Sequence, residues 1–450
     1  MGNKIKIKDF LCRKKEAVRI DPNNEYSLTT VRLHHKGVIL RERKKGNLIK
    51  SKMFKISEGQ FILSGIDARN GAFGIVPKEL DGALITNDFW TFEINEKIVK
   101  RDFFYWFTNT PLFLEVCHKS SKGETQRIRL QKELFINFEF HFPPIEKQEE
   151  FLKQLNLIDA SLAFINREQN NQTSYITLLR QSILQDAIEG KLTVEWRKKN
   201  PVKKGDPETD AAALLEKIKK EKQKLIAEGK IKKDKPLTTI KPEEIPFKLP
   251  PGWLWTRLGE VCTKITDGFH NTPPKLTSGK IYISATHIRE QGINWDGCLY
   301  VSEKDHNDLF KKAYPQKGEI LITNRGAGCG TPALIDIDEN FSFQNAALIG
   351  FNQSLILSKY IHNFLLFMRK TITDEFVNGG LQPMLSNTIL NTIPVPIPPI
   401  AEQRAIVERV DELSGIVDEL EKEAAARQTL SENLMQAVLK EAFEGGGGED

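Results

Sequence analysis

Arg41-Glu42-Arg43-Lys44 contains the Glu-x-Lys that a metal-dependent nuclease can use, and Gly326-Ala327-Gly328-Cys329-Gly330 is the stretch most like a phosphate-cradling loop. Neither carries the rest of its chemistry. Glu-x-Lys is a common tripeptide. The glycine run is not followed by Gly-Lys-Ser/Thr, and it does not open a βαβ unit with an acidic residue at the required distance. The Asn-Pro-Pro-aromatic tetrad of an adenine methyltransferase is missing, since the Pro-Pro pairs at 143 and 398 follow Phe142 and Ile397. Cys12, Cys117, Cys262, Cys298 and Cys329 lie far apart without CxxC spacing, and the eight histidines form no HxxxH, so neither a disulfide framework nor a zinc site is expected. With no set of residues filling the roles of nucleophile, base and stabiliser, the sequence reads as a binder and not as an enzyme.

The 450 residues, 40% of them apolar, have room for two or three domains. No run of eighteen apolar residues exists, and the opening MGNKIKIKDF lacks a signal-peptide core, so the expected location is the cytoplasm, with no membrane partner. Net charge is only +5, but it is unevenly spread: residues 1–140 carry 26 Lys+Arg against 17 Asp+Glu, and residues 400–450 carry 5 against 13. A basic globular segment suits a phosphate backbone, whereas an acidic helical one would repel it and suits protein. Ordinary charge variation along a chain is the alternative.

The elements that must position any binding groups are duplicated. Pro143-Pro144-Ile145-Glu146-Lys147-Gln148 matches Pro398-Pro399-Ile400-Ala401-Glu402-Gln403 at an offset of 255, and that offset continues without a gap for more than forty residues, to Glu189-Gly190 and Glu444-Gly445. Both copies have helical spacing. Phe151, Leu155, Ile158, Leu162 and Ile165 step by 4, 3, 4, 3, as do Ile406, Val410, Leu413, Val417 and Leu420, the pattern of a coiled-coil seam. Prolines precede each copy, and Gly190 and Gly445 stand where a C-terminal cap is expected. A helix over 146–189 would be about 65 Å long at about 1.5 Å per residue, long enough to bridge domains. Continuing the register brings Gln169 and Gln172, and Ala424 and Arg427, into the seam. Either these fix the alignment of the helices, or the helices splay and face water there.

The segments before the helices share a plan. Glu58–Ser64 resembles Lys317–Thr323, each a turn followed by a β-prone run. A glycine-rich stretch comes next (67–74 and 324–330), then strand-like runs at 84–87 and 341–345, then helices expected over 102–117 and 358–376. Between the halves, 217–235 holds nine lysines and three acidic residues, which either grip phosphate or form a solvated helix face. Prolines 236, 242, 246, 250 and 251 then make an extended connection to Trp253.

The repeated Pro-Pro-Ile-x-x-Gln leading into a helix that ends Leu-x-x-Ala-hydrophobic-Glu-Gly resembles the conserved regions of type I restriction-modification specificity subunits. Leu225–Lys233 with Leu249-Pro250-Pro251-Gly252-Trp253 resembles the family's central connection, and Asp267-Gly268-Phe269-His270-Asn271-Thr272-Pro273 resembles an opening found in its target-recognition domains. The first half lacks a Trp-containing entry and an Asp-Gly-x-His, which places its recognition domain in a different subgroup. The resemblance implies an α+β architecture of two target-recognition domains separated by two long antiparallel helices, with a pseudo-two-fold internal repeat. The segments would be a first recognition domain over 1–143, a long helix over 144–192, a basic connection over 193–250, a second recognition domain over 251–397, a second long helix over 398–444 and a disordered tail over 445–450. It further implies double-stranded DNA as ligand, two methyltransferase subunits docked on the helices and, through them, restriction/translocase subunits. The chain itself needs no cofactor; S-adenosylmethionine, ATP and Mg belong to the partners.

On that reading, base edges would be met by side chains with paired donors and acceptors held on loops. Arg41, Arg43, Lys44, Lys45, Arg69 and Asn70 are the candidates in the first domain, and His270, Asn271, Thr286, Arg289, Asn324 and Arg325 in the second. Asp267 is either a turn-forming cap or a group that positions its loop. Helix length would set the spacing of two half-sites, so one heptad inserted into both helices should separate them in a methylation map. A coiled-coil adaptor that binds only protein is one rival reading, which gel shifts separate from this one, and a specificity subunit of a related methylase-based phage-defence complex is another.

Overall fold

The computed structural model describes residues 3–123, 128–233, 236–269, 272–326, 328–376 and 384–444. Its contacts divide the chain into two compact units: residues up to Asn171 with those from Ala424 onward, and Gln172–Glu423.

In the first unit, Asn3–Lys6 pairs antiparallel with Glu139–Phe142, so the chain closes on itself just before its long helix. A four-stranded sheet runs in the order Leu11–Lys14, Phe89–Ile94, Phe61–Ser64, Phe73–Ile75. A five-stranded sheet runs Glu16–Val18, Met53–Lys55, Leu84–Thr86, Glu25–Val31, Val38–Lys45, with Leu84 lying parallel to Leu28. The core is built from phenylalanines. Phe61 meets Phe104 and Phe113 edge-on, and Phe107 meets Phe140 and Phe142 the same way, at centroid separations of 4.6–6.0 Å. Each buried ring contributes about 1.5–3 kcal/mol by leaving water, and edge-to-face pairing adds about 0.5–1.5 kcal/mol. The helix expected over 102–117 is two helices, Arg101–Thr108 and Pro111–Lys119. Pro111 cannot donate within a continuing helix, so it begins a new one, capped by the Thr110 hydroxyl accepting from Phe113 N.

The second unit repeats this frame strand for strand. Leu254–Arg257 pairs with Pro394–Ile397, and the four-stranded sheet runs Lys264–Asp267, Ala346–Gly350, Ile320–Thr323, Pro332–Leu334. Ser342–Gln344 lies parallel to Lys280–Ser284, as Leu84 does to Leu28 in the first unit. What differs is the module between the first and third strands of the frame. In the first unit it is a set of strands over 16–55; in the second the described residues hold four short strands, Lys280–Ser284, Ile288–Arg289, Gly292–Ile293 and Leu299–Val301, and the helix Glu303–Ala313. The connection is packed as well as basic. Ala211–Ala227 is a helix that buries Ala211, Leu214 and Ile218 in the second unit's core, leaving Lys217, Lys219, Lys220 and Lys224 exposed.

The long helices are Ile145–Ile188 and Ile400–Glu444. They run antiparallel in each unit: Phe151 meets Phe443 and Asn166 bonds Ser431 in the first, and Arg180 reaches Asp418 and Glu421 in the second. Leu155, Leu162, Ile406, Val410 and Val417 are buried along the seam, with Phe151, Ile158 and Leu413 partly so. Ile165 and Leu420 depart from the expectation, being 42% and 43% exposed. At their levels the contact is polar, through Asn166–Ser431 (3.2 Å) and through Arg180 to Asp418 (2.5 Å) and Glu421 (2.7 Å). Polar pairs thus span the two helices on either side of the interruption at Gln169, Gln172, Ala424 and Arg427, beside the exposed Ile165 and Leu420. Gly190 ends the first helix at φ +73°, with Lys191 N donating to Asp186 O (2.7 Å) and Gly190 N to Ala187 O (3.2 Å), the two bonds of a left-handed C-cap. Gly445 and the expected tail lie outside the described residues.

Candidate nucleic-acid interface

The repeated glutamine of Pro-Pro-Ile-x-x-Gln fastens each long helix to its frame. Gln148 and Gln403 are fully buried. Gln148 donates to Pro143 O (2.8 Å) and Ile98 O (3.2 Å) and accepts from Lys100 N (2.9 Å); Gln403 donates to Pro398 O (3.0 Å) and accepts from Leu357 N (2.9 Å). Lys100 and Leu357 are the residues that open the next helix of each frame. One side chain thus ties the proline turn, the frame and the stalk together in both copies. In the second unit a charged lock adds to this. Buried Glu402 accepts from Trp253 Nε1 (2.7 Å), from Thr193 Oγ1 (2.7 Å) and from the Arg197 guanidinium, which also donates to Gly190 O (2.6 Å). Its counterpart at the 255 offset is Lys147, which is exposed.

In the first unit, Val38–Lys45 is the edge strand of the five-stranded sheet. Its register shifts between Leu28 and Thr29, which makes Arg41 the bulged residue. Arg41, Arg43 and Lys45 are exposed and Lys44 is partly so; Glu42 lies 3.9 Å from both Arg41 and Lys44, too loosely paired and too wet to neutralise them. Arg69 and Asn70 occupy a single 3-10 turn, Ala68–Asn70. Asn70 spends its side-chain amide on Asp67 (3.2 Å), while Arg69 is partly buried, its Nε without an acceptor among the described residues. The loop that joins the hairpin strands, 32–37, sits on this turn: His34 N donates to Asn70 O (2.8 Å) and His35 N to Gly71 O (3.0 Å).

In the second unit, Asn324 is not available to a ligand. It is 6% exposed and donates to Asp267 Oδ1 (2.8 Å), so the pair positions the loop after Asp267, the second of the two roles open to that aspartate. Gly268 comes next because any Cβ there would lie 2.6 Å from Phe343 O. The far end of the loop is fixed by Thr272, which bonds the Gln344 carboxamide (2.9 and 3.0 Å); Gln344 also accepts from Tyr282 (2.6 Å). Burial pushes the Tyr282 hydroxyl up to about 12, so it stays a donor at neutral pH. His270 and Asn271 lie outside the described residues. Ser284 pairs with Gln344 two residues before Thr286, so the register brings Thr286 to the end of the domain where Thr272 bonds Gln344. Thr286, Arg289 and Arg325 are exposed. Arg325 adjoins Asn324, and Arg289 lies on a small hairpin with Gly292.

A family model described as the type I restriction modification DNA specificity domain matches residues 4–173 and again 250–427. Among curated relatives, the EcoEI specificity subunit of Escherichia coli is 23% identical over 74% of this chain and 63% of its own length. The EcoAI specificity subunit of the same organism is 29% identical over 59% of this chain and 44% of its own. The chain therefore spans less than two thirds of the length of these two relatives. A chain from a solved structure described as the structural basis of complex assembly and conformational transition of the type I R-M system superposes with a TM-score of 0.67 at 18% identity, covering 99% of this chain and 98% of the other. The HsdS subunit from Thermoanaerobacter tengcongensis gives 0.50 at 16% identity, covering 98% and 96%. Two matches to one model, falling on the two halves whose strands and helices repeat, place the chain in the family of type I restriction-modification DNA specificity proteins.

Proposed function

We propose that this chain is the sequence-reading, non-catalytic subunit of a type I restriction-modification enzyme. Each of its two recognition domains reads one short half-site of a bipartite DNA target, and methyltransferase subunits dock on its long helices. The observation that carries this is one frame used twice with a different module inserted in each copy, which suits two readings by one architecture. The first unit's module is basic, with Arg19, Lys36, Arg41, Arg43, Lys44 and Lys45 among its exposed or half-exposed side chains. Such a surface attracts phosphate and makes binding salt-dependent. Docking on the helices is supported by apolar side chains on the first helix that its seam does not use: Leu157 and Phe164 in the first unit, Tyr175 and Leu178 in the second, all more than half exposed. S-adenosylmethionine, ATP and Mg are assigned to the partner subunits, and the site of action to the cytoplasm; no described helix is long and apolar enough to cross a membrane.

Gel shifts with target-bearing and unrelated DNA, with and without the methyltransferase, test this. The expected result is specific binding whose affinity falls steeply as salt rises. Binding to the methyltransferase with none to DNA would assign the chain to an adaptor role.

A further inference from the structure

We infer that the first domain reads bases with the tip of its hairpin, 32–37, through His34 and Lys36, and that the basic strand Arg41–Lys45 contacts only phosphate. The inference rests on the DNA-reading function proposed above and assigns that reading to a place.

Three observations lead there. First, the tip holds a strained backbone: His34 and His35 are both left-handed, at φ +58° and +57°, a conformation that non-glycine residues seldom adopt. Their amides donate to Asn70 O and Gly71 O, and the His35 ring packs edge-on against Phe73 at 5.0 Å, so the glycine turn holds the tip in that shape. Leu33, His34 and Lys36 are left exposed on it. Second, the duplicated topology gives the tip a counterpart. Glu25–Val31 lies beside Leu84–Thr86 as Lys280–Ser284 lies beside Ser342–Gln344, both parallel. The hairpin tip after Val31 therefore corresponds to the excursion after Ser284, which carries Thr286 and Arg289. Third, the strand has another reason to be basic. It is a sheet edge, and a bulge at Arg41 with charged neighbours is how an edge avoids pairing with another strand. A two-stranded ribbon fits the major groove, where His34 and Lys36 can donate to base edges and Leu33 can meet a thymine methyl.

The test is to express the full chain with its methyltransferase and map methylated adenines for the parent, Lys36→Ala, His34→Asn and the double variant Arg43→Ala/Lys44→Ala. Asn tolerates the left-handed backbone, and Lys36 lies outside the strained pair, so neither change forces the tip to refold. The tip variants should raise methylation about ten-fold or more at sites with one substitution in one half-site, leaving the other half-site strict. The strand variant should weaken binding to all sequences alike, lower its salt dependence and keep the motif. A motif unchanged in the tip variants, or relaxed by the strand variant, overturns the inference. So does a Lys36→Ala protein that loses affinity for target and non-target DNA equally. A parent that yields no bipartite motif refutes the underlying DNA-reading function instead.

Discussion

Glu402 takes part in three hydrogen bonds while almost wholly buried, and the Arg197 it faces is itself mostly buried. Removing one partner strands the other's charge, so Glu402→Ala should cost about 3–5 kcal/mol in chemical denaturation. Lys147, at the same place in the other copy, is exposed, and Lys147→Ala should change stability by no more than about 0.5 kcal/mol. Equal effects would contradict the asymmetry. A second residue-scale prediction concerns acid. The Arg257 guanidinium, with help from the Lys241 backbone N–H, pushes the Glu244 carboxyl down to about 2 from its usual value of 4.5. A depressed carboxylate stabilises the fold above about 4.5, and that contribution fades as pH falls through about 2. Glu244→Gln should therefore lower the urea midpoint at neutral pH and flatten its decline between those values; an unchanged acid limb would contradict the pairing. Little of this is legible in the sequence. The repeated Gln148 and Gln403 stand out as a motif, but their partners at Lys100 and Leu357 lie 48 and 46 residues away, and Arg197 lies 205 residues from Glu402. Asn324 resembles a base reader because a polar residue beside a glycine loop is usually exposed; only the fold brings it to Asp267.

At the scale of elements, the 4-3 spacing marks the long helices and most of their seam, since burial of one stripe dictates that period. It does not tell which turns along the stripe meet a partner. Leu155 is 1% exposed and Ile165 42%, although both fit the register. Leu155→Ala should accordingly cost about 2–5 kcal/mol, and Ile165→Ala below about 1 kcal/mol, by urea unfolding. Comparable losses would mean that the seam runs unbroken. The frame strands are legible where β-prone runs adjoin glycine turns, as at Phe61–Ser64 and Ile320–Thr323. The inserted modules are not, because they share no pattern with each other, and the broken helix at Pro111 is hidden by the apolar residues on either side of it.

For the molecule as a whole, the proposed function gives the duplication a use, one chain for a target with two different halves: the frame and the glutamine-fastened stalk are kept, and the module between the first and third frame strands is free to differ. Specificity should then travel with the module. The most direct measurement is to express the chain with its methyltransferase in a host free of adenine methylation and sequence the modified sites, for the parent and for a chain whose segment 15–55 comes from a relative of different specificity. The account predicts two short conserved blocks separated by an unspecified spacer of fixed length, with the exchange altering one block alone. A single contiguous block, or an exchange that changes both blocks or neither, would contradict it.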